Sequence, residues 1–156
     1  MRALSMTLNP TYLIPLLLAL PVLSGCVNDA ASMQIDGKEH SISVVREQKW
    51  LWEQRVDLYA VVSRMPDCQR RHRLKNSSIA SSGFEMYTAD YETFYLQQAN
   101  RTYMVETKTC EGFRELTETP SAGIGQIIGA FKEVGGQYKF VEEPMAGAKD
   151  ASKPQK

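Results

Sequence analysis

The chain has 156 residues, 43% of them hydrophobic, and its 18 Lys and Arg are matched by 18 Asp and Glu, for a formal net charge of zero. That balance excludes a general nucleic-acid binder, which carries a clear basic excess. The length suits one domain around one core, and no internal repeat divides it.

Residues 1–25 stand apart from the rest. Arg2 is their only charged residue, and Tyr12 to Leu23 is an apolar run broken by Pro15 and Pro21. The run is too short for a bilayer span, which needs about 20 apolar residues. A positive start, a short apolar stretch and then small residues make a secretory signal peptide, expected as a helix. Leu23-Ser24-Gly25-Cys26 closes it and resembles the lipobox of bacterial lipoproteins. The resemblance covers the first 26 residues only. It implies that the Cys26 thiol receives a diacylglycerol, that the signal is cut just before it, and that the new amine is acylated. The membrane is then the partner, reached through lipid on Cys26. One acyl chain holds a protein only marginally, while two or more anchor it stably. Val27, where an Asp would favour retention in the inner membrane, leans towards the outer membrane, with the domain facing the periplasm. Removing residues 1–25 leaves 17 basic against 18 acidic side chains, a net charge of −1.

With Cys26 given to lipid, Cys68 and Cys110 remain, and an even pair in an oxidising compartment is usually a disulfide. Closing a loop of roughly 43 residues contributes about 4 kcal/mol in the chain-entropy account. The alternative is a reactive Cys68 with His72 as its base, which nothing else in the sequence supports.

Residues 26–32 are small and polar, a lipidated tether. Residues 33–142 form the domain. Met33 to Val45 reads as a hairpin around Asp36-Gly37, with Met33, Ile35, Ile42 and Val44 at period two. Val56 to Met65 places Val56, Leu58, Ala60 and Val62 on one strand face. A helix over 44–63 competes, because Val45, Trp52, Val56 and Tyr59 recur at near-helical spacing; the valines favour strand. Gln69 to Lys75 is basic, and Asn76 to Gly83 reads as an exposed Ser-rich loop.

Phe84 to Thr88 is a strand with Phe84 and Met86 on one side. Thr93–Gln98 and Thr102–Thr109 form a hairpin about Ala99-Asn100-Arg101, burying Phe94, Leu96, Tyr103 and Val105. Cys110 breaks the parity of that return strand. Residues 111–122 read as irregular. Ile127 to Val141 reads as a last hairpin about Gly135-Gly136, anchored by Phe131, Tyr138 and Phe140; a short helix over 124–134 is weakened by Gly125 and Gly129. Residues 143–156 lack an apolar period and read as a disordered tail. Short strands between turn residues predict a mainly β fold, a small antiparallel sandwich or barrel.

Chemistry is sparse. His40 and His72 are the only histidines, and neither has a carboxylate at ligand spacing, so no metal and no cofactor is expected. Ser81-Ser82-Gly83 is not a nucleophile elbow. Gly123-Ile124-Gly125 with Gly129 misses the dinucleotide spacing. Glu142-Glu143, Asp90 and Glu92 read as solvated charge. Two features remain. The stretch from Arg64 to Lys75, with Arg70, Arg71 and Arg73, offers cations to phosphate or carboxylate groups; its plain alternative is a charged edge strand. Trp50 and Trp52, read as same-parity strand residues, are expected in the core or against lipid headgroups, or else stacked on a sugar or partner. The expectation is a lipid-anchored envelope protein, not an enzyme, acting as a structural or interaction module. Its alternative is a binder of an anionic glycan or lipid headgroup. An envelope hydrolase built on His72 or His40 has the least support.

Overall fold

Period-two burial along the sequence becomes ten antiparallel strands in the computed structural model, which describes residues 26–118 and 123–143. The expected signal peptide over 1–25 lies outside the described residues, as do 144–156 of the expected tail.

The first four strands are a meander: β1 (Asn28–Asp36), β2 (His40–Glu47), β3 (Arg55–Arg64) and β4 (Cys68–Ser78), in sheet order β1-β2-β3-β4. The first hairpin turns at Gly37, whose φ of 74° suits glycine. The tether expectation needs correction here. Asn28 to Ser32 belong to β1, paired with Ser43 to Glu47 of β2. Their small side chains lack the bulk that marks a strand in sequence; what orders them is the ladder to β2 and the burial of Ala31. The competing helix over 44–63 is replaced by two strands separated by the turn at 48–54. Leu58, Ala60 and Val62 share the buried face with Ile42 and Val44.

The basic stretch is β4, an edge strand. The loop expected over 76–83 is shorter than anticipated. Asn76 to Ser78 complete β4, and Ile79–Ser81 is one 3-10 turn capped by the Ser78 hydroxyl.

The second sheet holds β5 (Phe84–Thr88), β6 (Thr93–Gln98), β7 (Arg101–Glu106), β8 (Phe113–Leu116), β9 (Gln126–Val134) and β10 (Gln137–Glu142). Its order is β10-β9-β5-β6-β7-β8. The expected hairpins at Ala99-Asn100-Arg101 and Gly135-Gly136 are both present. Strand β7 ends before Thr109, because Cys110 turns the chain at φ 61° and Glu106 N–H donates to Gly112 O at 2.7 Å. Strand β8 falls in the segment read as irregular. Four residues that bury no side chain fully leave no period to detect. The helix over 124–134 is instead β9. A Cβ at Gly129 would collide with the Phe140 ring and the Val141 carbonyl, so the glycine admits that ring.

The two sheets pack face to face as a sandwich. Ile42, Val44, Leu58 and Val62 meet Met86, Leu96, Val105 and Phe131 in one core. Edges approach at two seams: β1 beside β10, and β4 beside β8, where His72 stacks on Phe113 at 4.7 Å.

Candidate functional site

The three cysteines divide between two roles. Cys68 and Cys110 are bonded, with Cα atoms 6.0 Å apart, as expected from their number. Cys68 opens β4 and Cys110 lies in the turn between β7 and β8, so the bridge joins the two sheets at their edges. This removes the reading of a reactive Cys68. His72 places its Nε2 2.7 Å from Cys110 O instead of serving a thiol. Cys26 is left free and exposed, two residues ahead of β1.

What lies beside Cys26 is set by Gln48. Val27 N–H donates to Gln48 Oε1 at 2.7 Å, and Gln48 N–H donates back to Val27 O at 2.8 Å. These bonds carry the β1–β2 pairing one residue past its last ladder partners, Asn28 and Glu47. The same side chain donates from Nε2 to Leu51 O at 3.3 Å and to Glu53 O. Glu53 N–H closes the turn on Trp50 O at 3.0 Å. One amide thus ties the start of the domain to the turn between β2 and β3. The turn consists of Trp50, Leu51 and Trp52, which are 58%, 50% and 79% exposed. The two indoles stack 5.6 Å apart at 11°. The strand placement and the core expectation for Trp50 and Trp52 are both overturned. Gln48, Lys49, Glu53 and Gln54 frame a turn beyond the sheet, on which the indoles stack on each other in the open rather than entering the core.

The three expected arginines do not converge. Alternation along β4 puts Arg71 and Arg73 on the outer face of the four-stranded sheet and Arg70 on the opposite one. Each already meets a carboxylate. Arg71 Nη2 is 2.8 Å from Glu47, and its guanidinium lies 3.6 Å over the Tyr59 ring. The bond to Glu47 holds its pKa above the ordinary arginine value. Arg73 lies 3.4 Å from the buried Asp57, which Lys49 at 3.1 Å and Asn76 at 2.9 Å also hold. Arg70 meets Glu111 at 3.4 Å. The stretch is therefore compensated along its length, as a protected sheet edge is.

His40 is buried, with Nε2 lacking a partner and the ring edge against Tyr91 at 5.7 Å. Burial lowers its pKa first, and Arg64 lowers it further. Among the described residues no three His, Cys, Asp or Glu side chains gather as a metal would require. A shallow depression of about 500 Å³ on the outer face of the six-stranded sheet is lined by Glu85, Gln97, Ala130, Lys132 and others, with no histidine or cysteine.

Two residues escaped the sequence reading. Gln48 leaves no sequence signal, because its role depends on where Val27 ends up. Arg46 does leave one. It continues the inward parity of Ile42 and Val44, where an apolar residue is expected. The arginine is 3% exposed. It donates to both Asp29 oxygens at 2.7 and 2.6 Å and to Ser82 Oγ at 2.9 Å, lies 3.7 Å from Glu133, and sits 4.0 Å over the Tyr138 ring. Set against known proteins, the chain matches no family model, no curated protein and no solved structure.

Proposed function

We propose that this chain is a lipid-anchored protein of the bacterial envelope, held on the outer membrane facing the periplasm, whose disulfide-closed β sandwich is a structural or interaction module. The observation that supports the reading is the division of the cysteines. Two are spent on each other, and the third, Cys26, is free and exposed where Leu23-Ser24-Gly25-Cys26 resembles a lipobox. A disulfide persists in an oxidising compartment, and a lipobox thiol is the attachment point for diacylglycerol. The start of β1 at Asn28 sharpens the consequence. Only Cys26 and Val27 separate the acyl chains from the first strand, so the domain rests directly on the bilayer surface.

Palmitate labelling tests the anchor. The native chain should incorporate label and Cys26→Ser should not; undiminished labelling of the variant would end the proposal. The anionic-ligand reading would require Arg70, Arg71 and Arg73 to give up Glu111, Glu47 and Asp57, and nothing in their arrangement favours that exchange.

A further inference from the structure

We propose that the Trp50-Leu51-Trp52 turn is a second, non-covalent membrane contact, inserted in the interfacial layer of the leaflet that holds the acyl chains of Cys26. The proposal rests on the anchoring reading above and adds the surface by which the domain meets the lipid.

The turn sits at the end of the domain that carries Cys26. The bonds from Gln48 to Val27, Leu51 and Glu53 fix the turn beside the residue that follows Cys26. An acylated Cys26 lies at the level of the headgroups, and whatever is locked to Val27 is held at nearly the same depth.

Exposed apolar surface is unevenly spread over the domain. Six large hydrophobic residues are exposed among the described ones: Trp50, Leu51, Trp52, Met65, Tyr91 and Val134. Val134 ends β9, next to Glu133, whose carboxylate reaches Arg46. Arg46 in turn pairs with Asp29 near the start of β1. Val134 therefore shares the Cys26 end with the Trp turn. Met65 and Tyr91 lie at the other end, where Met65 N–H donates to Glu39 O and Tyr91 Oη donates to Asp36. The Trp turn and Val134 thus lie at the end of the sandwich that carries Cys26, and Met65 and Tyr91 lie at the other.

The residue types of the turn also suit a lipid boundary. Tryptophan pairs a large apolar body with one N–H donor and concentrates at membrane–water boundaries for that reason. Three consecutive apolar residues, all at least half exposed on one turn, offer the kind of surface that a fluid lipid interface takes up. Insertion would restrict how the sandwich pivots about its lipid, turning a flexible attachment into an oriented one.

The two tryptophans of this turn are the only ones in the chain, so intrinsic emission reports on it alone. The mature protein, purified from membranes, would be reconstituted in phosphatidylethanolamine–phosphatidylglycerol vesicles with and without brominated acyl chains. Mass analysis of the same preparation would establish acylation of Cys26. The expected result is severalfold quenching by the brominated lipid, together with shielding from aqueous acrylamide. Emission open to acrylamide and indifferent to bromine, in a chain of confirmed acylated mass, would overturn the inserted turn and leave the anchor standing. Shielding without bromine quenching would also overturn it, since the cover would then be protein or glycan. An unmodified Cys26 would overturn the anchor and this contact together.

Discussion

The two open edges of the sandwich meet the same problem with different chemistry. At the β4–β8 seam the closure is covalent, through Cys68–Cys110. Along the same seam lie His72 stacked on Phe113, the Lys75 N–H bond to Tyr103 Oη at 3.4 Å, and ion pairs from Arg70 to Glu111 and Lys75 to Glu115. At the β1–β10 seam there is no cysteine. A buried guanidinium takes that place, with Arg46 drawing Asp29 of β1, Ser82 ahead of β5, Glu133 of β9 and Tyr138 of β10 around one charge. Tyr138 Oη also donates to Ser82 O at 3.0 Å, so the ring that covers the arginine is itself fixed. Burial works against the charge of Arg46, and the Asp29 bonds more than offset it, leaving its pKa above the ordinary value.

The contrast separates two ways of holding sheets together. A disulfide acts largely by restricting the unfolded chain, so it stabilises whatever the quality of the local packing. A buried cation is costly until every partner is in place. It contributes only when β1, β2, β9, β10 and the Ser82 segment have all assembled, which makes it a test of correct closure as well as a source of cohesion.

Breaking the covalent seam carries the largest expected effect. The Cys68→Ser, Cys110→Ser pair should lose about 4 kcal/mol in urea unfolding, and reduction of the native protein should reproduce that loss. Next comes the polar seam. Arg46→Ala leaves Asp29 and the Ser82–Tyr138 pair facing a void, and should lose roughly 3 kcal/mol by the same measurement. A loss no greater than that of a surface substitution would show that Arg46 does not close its edge. Smallest is the rim of the disulfide seam. Lys75→Ala removes an ion pair whose lysine is largely in solvent, and its effect should stay below about 1 kcal/mol. If it rivalled the cysteine variant, the β4–β8 closure would be electrostatic and the comparison between seams would collapse.

Much of the strand pattern was legible because alternation is a local property. Leu58, Ala60 and Val62 in one run, and Phe94 and Leu96 in another, each reveal their buried face within a few consecutive residues. The disulfide was legible for a different reason, since removing Cys26 from three cysteines leaves one pair. Other features were not legible. β8 is too short to show a period. Asn28 to Ser32 look like linker because their side chains are small, yet the backbone there is fully paired to β2. Trp50 and Trp52 carry the strongest burial preference in their neighbourhood, and the turn at 48–54 denies it to them. The arginines of β4 looked like a ligand site because sequence lists cations without their partners. Glu47, Asp57 and Glu111 come from three other places in the chain.

The amino-acid order alone determined the β class, most strand positions, the inward residues and the pairing of Cys68 with Cys110, all of which follow from short-range alternation or from counting. Only the tertiary structure decided which edges meet, that a charge closes one of them, that the basic strand is neutralised, and that two indoles stand in the open beside Val27. Those outcomes depend on residues distant in sequence arriving at the same place, and the pairing energies that bring them there are properties of the folded arrangement, absent from any local window of the chain.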